Sequence, residues 1–518
     1  MRIHSLGHTE CLIEIPTPEK TVHILLDAWL SAYSVADLME RTPRISIDWA
    51  TFPRIDLVYI SHAHLDHLDP YFLSVLYSQQ SPILLIAETI SYVIPTLKTF
   101  LPNAQIEVLK PSIPYSFQGA KLTGLTFAND ELTNEEDVMS LFVEHGDTAL
   151  YFEIDTIPPE DPEEQKKLHA LFTKKPYKHR LYVASRNELE GNLSILDLPP
   201  AKRKSYEKQY RSTRKEWMEW QYAKFESWEA EYRDIRDLSG FSLACIGQGM
   251  CFPTSVSAEL ASTRILPLDE IAEIERSIAR RYRKKFDIFA LSTGKMLDLQ
   301  SEKILFAPSS LLQKDSTGWT KNTMRYSPLP ASSIDHAISF ERADSPLSKD
   351  VRDRNTQESS ILDALNTKFL PTKLADTFDH LKNIVLKNPD HAYRIEVRFW
   401  TQAPFESRFY IWNFWQSTFL REFPEEQKRV DERYFANDLD DFLSGKQELY
   451  CNFLHRLDPK MSYRLWTVLG NTFLNNDLVI QKLTHHFMRI KNGADDASFV
   501  LEFYHQNIQL QNSHSTQS

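Results

Sequence analysis

The apolar run Asp56-Leu-Val-Tyr-Ile60 ends in Ser61-His-Ala-His-Leu-Asp-His-Leu-Asp-Pro70, which places His62, His64, Asp66 and His67 within six residues. Residues i and i+2 of an extended segment face the same side, so His62 and His64 can share one cation. Asp66 and His67 fall on the following turn and can reach a second. Four ligand-competent groups directly after an apolar strand demand a fold that brings a strand end to a metal centre, and the spacing suits a dinuclear site. A polar helix N-terminus with incidental histidines leaves the preceding strand unexplained.

The surrounding sequence supplies sheets for such a strand. Between Ile3 and Asp155 the runs CLIEI, VHILLDAWL, ILLIAE, IEVLK, KLTGLTF, MSLFVEHG and TALYFEID are short and β-rich. Many short strands at close spacing predict packed sheets, with helices such as Pro70 to Gln79 covering a face. MSLFVE and TALYFEID flank His145-Gly146-Asp147, a turn with a glycine for positive φ, and read as a β-hairpin. This puts His145 on the surface of the turn and Asp155 at the C-terminal end of a strand.

Asp27 in ILLDAWLS, the His62 to His67 cluster and Asp155 in TALYFEIDT together resemble the signatures of the metallo-β-lactamase superfamily. The resemblance implies an α/β fold, an αββα sandwich, around one or two divalent ions, Zn2+ or Fe2+ with Mn2+ as a further candidate. It implies that His62, His64, Asp66, His67 and Asp155 are metal ligands, with Asp155 bridging two ions. Asp27 then lies behind the site and orients a ligand by a hydrogen bond, and Asp66 or a bridging hydroxide handles the reacting proton. LLDAWLS, DLVYISHAHLDHLDP, FVEHGDTALYFEIDT and LSTGKMLDL are most similar to the branch containing CMP-N-acetylneuraminate hydroxylase. The L-ascorbate-6-phosphate lactonase and N-acyl phosphatidylethanolamine phospholipase D branches come next.

Departures from that pattern leave the chemistry open. The family's third histidine belongs in TGLTFANDELTNEEDVMSLF, where none stands; Asn129, Asp130 and Glu131 occupy the neighbourhood, and Asp130 or Glu131 is a candidate replacement that would harden the site. The last family histidine is missing from LYVASRNELEG and LACIGQGMCFPTS, leaving Ser185, Asn187 and Glu188 as polar candidates. The paired Cys-x-His and Cys-x-x-His ligands of a Rieske centre are absent too. Three readings follow: a metal-dependent hydrolase acting on an ester, lactone, amide or phosphoester of a small molecule; an iron-dependent oxygenase of a small metabolite; and a non-catalytic binding protein with a degenerate site.

A length of 518 residues exceeds one ordinary core. The expected division is a metallo-β-lactamase-like domain over 1–306, with a long aromatic-rich helix inserted at about 199–238. A linker or crossover over 307–360, a C-terminal α+β domain over 361–510 and a disordered tail over 511–518 complete it. The C-terminal unit loosely resembles sterol-carrier-like modules, although simple packing and support of a homodimer account for it as well. The adjacent His485 and His486 point in different directions on one helix and make a poor metal pair. No internal sequence repeat is found.

A net charge of −12 disfavours general nucleic-acid binding. No apolar run reaches the roughly 18 residues of a membrane span, no secretory signal opens the chain, and four cysteines form no CxxC pair. These features predict a cytoplasmic protein acting on a small molecule.

Overall fold

The computed structural model describes residues 1–31, 33–34, 39–41, 44–126, 138–156, 162–186, 189–190, 219, 222–223, 226, 233–247, 250–251, 264–265, 268–300, 303–314, 324–327, 350–369, 394–401, 406–413, 418–422, 432–444, 453–456 and 476–493.

Fifteen strands build two sheets. In chain order they are β1 Arg2–Ser5, β2 Cys11–Pro16, β3 Thr21–Leu26, β4 Leu57–Ile60, β5 Ile83–Ala87, β6 Gln105–Leu109, β7 Tyr115–Phe117, β8 Ala120–Leu125, β9 Ser140–His145, β10 Thr148–Phe152, β11 His179–Ser185, β12 Phe241–Ile246, β13 Asp287–Ala290, β14 Lys295–Leu299 and β15 Ile304–Pro308. The first sheet runs β15-β14-β1-β2-β3-β4-β5-β6 and the second β7-β8-β9-β10-β11-β12-β13. Each begins as an antiparallel meander and then turns parallel: β3 pairs parallel with β4, and β10 with β11. The two halves thus repeat a layout that no sequence repeat announces.

The parallel strands are continuous apolar runs because both their faces are covered. All four residues of β4 are buried, for example. Leu25, Val58, Leu85, Val143, Leu150 and Val183 share one core, which fills the space between the sheets and extends under the helices α1 Pro70–Gln79 and α2 Ile94–Phe100. On the far face of the second sheet, Leu168 and Phe172 of α3 Pro162–Thr173 and Ile271 and Ile278 of α4 Leu268–Arg281 pack on Tyr151, Tyr182 and Leu243. This is the expected mixed α/β sandwich of two sheets between helices. The expected hairpin is also present as β9 and β10, with Gly146 at φ 58° in its turn.

Past residue 300 the chain keeps adding to the first half. Residues 312–314 pair with 324–327, which in turn pair with 44–47, and Leu311, Leu312 and Met324 enter the main core. The stretch 307–360, read from sequence as a linker because its periodicity is weak, therefore carries sheet in its described residues. Most of the helix expected over 199–238 lies outside the described residues, although Arg233–Arg236 is helical.

The C-terminal part forms a five-stranded sheet. Its strands are β16 Arg394–Phe399, β17 Glu406–Asn413, β18 Thr418–Glu422, β19 Glu432–Phe435 and β20 Phe453–Arg456, in the order β18-β17-β16-β19-β20. Arg354–Asp363 (α5) and Ala436–Leu443 (α6) pack together beside it. The last described helix, α7 Asn476–Lys491, does not stay with that sheet. Its Val479, Leu483 and Phe487 belong to the N-terminal core, with Phe487 stacked on Phe100 at 4.9 Å. The tail 511–518 lies outside the described residues. Among the described residues no helix is long and apolar enough to cross a membrane.

Candidate metal centre

The cluster read from sequence lies on the loop between β4 and α1, fixed from both sides. Asp69 caps α1, accepting from the Tyr71 and Phe72 amides, and also accepts from the Ser31 amide at 3.0 Å. Asp27 directly follows β3 at φ 45°, a left-handed conformation that aspartate tolerates better than most residues. Its fully buried carboxylate accepts from the Ser61 amide and the Ser61 hydroxyl, both at 2.9 Å, and lies 3.2 Å from His67 Nδ1. Strand end, cap and buried acceptor thus set the loop before any ligand is considered.

Asp155 enters from the other sheet, just past β10 and the left-handed Ile154 at φ 60°. Its Oδ2 is 2.9 Å from His67 Nε2 and 3.9 Å from His62 Nε2, while Ser185 donates its hydroxyl to Oδ1 at 3.4 Å. His62 Nε2 is 2.9 Å from His64 Nδ1. Two groups of potential ligand atoms result, each with its atoms within 4.8 Å of one another: His62, His64 and Asp155, and His8, Asp66, His67 and Asp155. Asp155 is common to both.

His8 was not foreseen. It lies in the Leu6-Gly-His-Thr-Glu10 turn between β1 and β2, and neither of its buried ring nitrogens has a hydrogen-bond partner. Its Nε2 is 3.8 Å from Asp66 Oδ2. Arg41 clamps the turn by donating to the Leu6 carbonyl, and a side chain at Gly7 would collide with the Arg41 guanidinium. A buried imidazole with two unused nitrogens is costly, and a metal coordinated by one of them would lift part of that cost.

Electrostatics fit the same assignment. Burial depresses His8, pushes His62 well below the ordinary histidine value and pushes His64 down to about 4, which favours the neutral form that coordinates a metal. Burial opposes the charge of His67 too, but Asp155 and Asp27 outweigh it and hold its pKa well above normal. Burial would raise Asp155; His67, followed by His8 and His62, instead holds it well below the usual carboxylate range. A buried set of imidazoles and carboxylates, all nitrogen and oxygen donors, suits a first-row divalent cation, which would displace the proton that Asp155 and Asp27 hold on His67.

The structure therefore brings together His62, His64, Asp66, His67 and Asp155, with Asp27 behind them. Asp130, Glu131, Asn187 and Glu188 lie outside the described residues. His145 ends β9, beside the hairpin turn and near the Gly119 carbonyl, away from the centre.

Residues 23–172 match the family model described as Beta-lactamase superfamily domain. A protein of Mycolicibacterium smegmatis, provisionally described as a Rieske 2Fe-2S iron-sulfur protein, is 31% identical over 85 residues, 16% of each chain. CmlA, a diiron beta-hydroxylase from Streptomyces venezuelae, is similar at 12% identity and a TM-score of 0.35, covering 56% of this chain and 52% of its own. The metallo-beta-lactamase fold protein YhfI from Bacillus subtilis is similar at 12% identity and a TM-score of 0.24, covering 36% of this chain and 72% of its own. The chain thus spans about half of the hydroxylase and a small fraction of the curated relative.

Proposed function

We propose that the chain is a metal-dependent hydrolase acting on an ester, lactone, amide or phosphoester of a small molecule. The observation that carries this reading is Asp155, which serves two adjoining groups of ligand atoms at once. In this assignment His62, His64 and Asp155 hold one divalent ion, and His8, Asp66, His67 and Asp155 hold the second. Such ions supply Lewis acidity and lower the pKa of water from about 15.7 toward about 7.

The protein's own part is geometric and protonic. Asp27 fixes the His67 ring through Nδ1, leaving Nε2 turned to Asp155. Asp66, buried at the edge of the second group, is placed to take up or return a proton. The second group holds as many carboxylates as imidazoles, and this hard donor set also supports a second reading, iron-dependent oxidation of a small metabolite. Asp130 and Glu131 are not required to complete either group.

Elemental mass spectrometry on protein purified without an affinity-column metal, beside a His64→Ala variant, tests the proposal. Near-stoichiometric metal that falls in the variant is expected, zinc pointing to hydrolysis and iron to oxidation. Wild-type protein that stays empty after reconstitution would overturn both enzyme readings and leave a non-catalytic binding protein.

A further inference from the structure

The turn that carries His8 is gripped by a residue outside both ligand groups. Within the turn the Leu6 amide donates to the Glu10 carbonyl at 2.9 Å, and the Gly247 amide reaches in to the His8 carbonyl at 3.0 Å. The rest of the hold comes from Arg41, the last residue of the short strand Met39–Arg41. Its guanidinium donates to the Leu6 carbonyl at 2.5 Å, to the Glu10 carboxylate at 3.4 Å and to the Trp29 carbonyl. It also lies 5.6 Å from the centroid of the Trp29 ring, which stands edge-on to the His8 ring at 6.1 Å. Arg41, Glu10 and Trp29 are fully buried.

The Trp29 contact links this turn to the loop of the other ligands. Trp29 follows Asp27 and Ala28, and the Ala28 amide donates to the His67 carbonyl at 3.0 Å. Arg41 therefore ties the segment bearing His8 to the segment bonded to His67, the two imidazoles of the second ligand group, whose ring centroids are 5.9 Å apart. Packing alone does not call for this residue, because the desolvation of a buried ion pair offsets much of its attraction. A guanidinium offers instead several donors in a rigid fork, which fixes several acceptors relative to one another. The missing side chain at Gly7 leaves room for that fork.

We propose that Arg41 is a positioning residue for the second metal position: by tying the His8 turn to the segment that holds His67, it sets the spacing of the two rings and so the affinity of that position. This rests on the metal-dependent reading and deepens it, giving control of one position to a residue that binds no metal.

Three substitutions loosen the tie in different ways. Arg41→Met combined with Glu10→Gln removes the fork without stranding a buried charge, Gly7→Ala presses on the guanidinium while keeping every donor, and Arg41→Lys, the mildest, keeps the charge but not the fork. Chelator competition on the full-length, zinc-reconstituted chain, with equivalents counted by elemental mass spectrometry, tests them. One equivalent is expected to weaken about 10–100-fold, the range for groups that orient metal ligands, while the other holds at wild-type affinity. Two equivalents held at wild-type affinity in the folded variants would overturn the proposal, and so would equal weakening of both, which marks a role in folding alone. Nitrogen–proton spectra of metal-free protein labelled at histidine give a second readout. The His8 ring signals, assigned by their loss in His8→Ala, should shift or broaden in the variants while those of His64 hold; unmoved His8 signals would overturn the proposal. A wild type that takes up no metal yet shows this selective change would sink the metal reading and leave Arg41 as the residue that places His8.

Discussion

Asp27 and Glu153 occupy the same point of the two sheets. Each follows the last antiparallel strand before its sheet turns parallel and donates its backbone N–H to the neighbouring parallel strand, to Tyr59 and Val183 respectively, at 2.9 Å. Two and three residues past those carbonyls stand Ser61 and His62 on one side and Ser185 and Arg186 on the other. On the second edge the charges close on themselves: Arg186 meets Glu153 at 3.0 Å and Glu275 at 3.4 Å, and Arg236 meets Glu275 at 3.5 Å, two cations for two anions. On the first edge they do not, because Asp27 and Asp66, joined by Asp155 from the second sheet, face imidazoles of which only His67 is driven toward its charged form. Burial of a carboxylate is therefore no sign of function in itself. An excess of ligand atoms over partners is the sign, and one backbone layout serves both ends.

The largest effect should come from opening the closed edge. Arg186→Met strands two buried carboxylates and should cost about 3–5 kcal/mol in urea denaturation, with metal stoichiometry unchanged in the folded protein. Removing the acceptor on the open edge should strike both properties. Asp27→Ala leaves the Ser61 amide unsatisfied and takes one of two partners from the Ser61 hydroxyl, a loss of about 1–3 kcal/mol, and frees the His67 ring, weakening metal affinity about 10–100-fold in a chelator competition. The serines sharpen the contrast: Ser61→Ala should cost about 1–2 kcal/mol, whereas Ser185→Ala, losing one long 3.4 Å contact, should stay within about 0.5 kcal/mol. A slope of stability on Ser185 equal to that on Ser61 would contradict the distinction.

A further effect concerns pH in the metal-free protein. His64 is pushed from 6.5 down to about 4, so between those values the unfolded chain binds a proton that the folded chain refuses. Its contribution to stability is present above about 6.5 and is lost as the pH falls toward 4. His64→Gln should flatten that fall by on the order of 1–2 kcal/mol, read from denaturant melts at pH 7 and pH 4.5; an unchanged slope would contradict the depressed value.

Much of this was legible in the sequence because it is local. Four ligand-competent groups within six residues after an apolar strand announce themselves, Asp155 stands at the strand end of TALYFEID, and Asp27 in ILLDAWLS is marked by the family resemblance. His8 was not legible by spacing, since it stands alone in its turn and meets its partners only when β1 and β2 are laid beside β3. A signal existed nonetheless, three consecutive polar residues after a glycine in a turn between two apolar strands, His8, Thr9 and Glu10, all of them buried. In LYVASRNELEG the polar residues Ser185, Asn187 and Glu188 stand out as candidates by sequence, whereas Arg186 beside them belongs to the ion network. The amphipathic pattern of α7 predicts that one face is covered but cannot say by what, so its docking on the N-terminal core, along with the sheet residues at 312–314 and 324–327, required the folded chain.

The central claim is that Asp155 joins two metal positions, of which one depends on His8. Metal equivalents per chain, measured by elemental mass spectrometry after reconstitution and dialysis, test it in wild type, His8→Ala and Asp155→Ala. The account predicts two equivalents in the wild type, one retained without His8 and neither retained at wild-type affinity without Asp155; an Asp155→Ala protein that keeps both would contradict it.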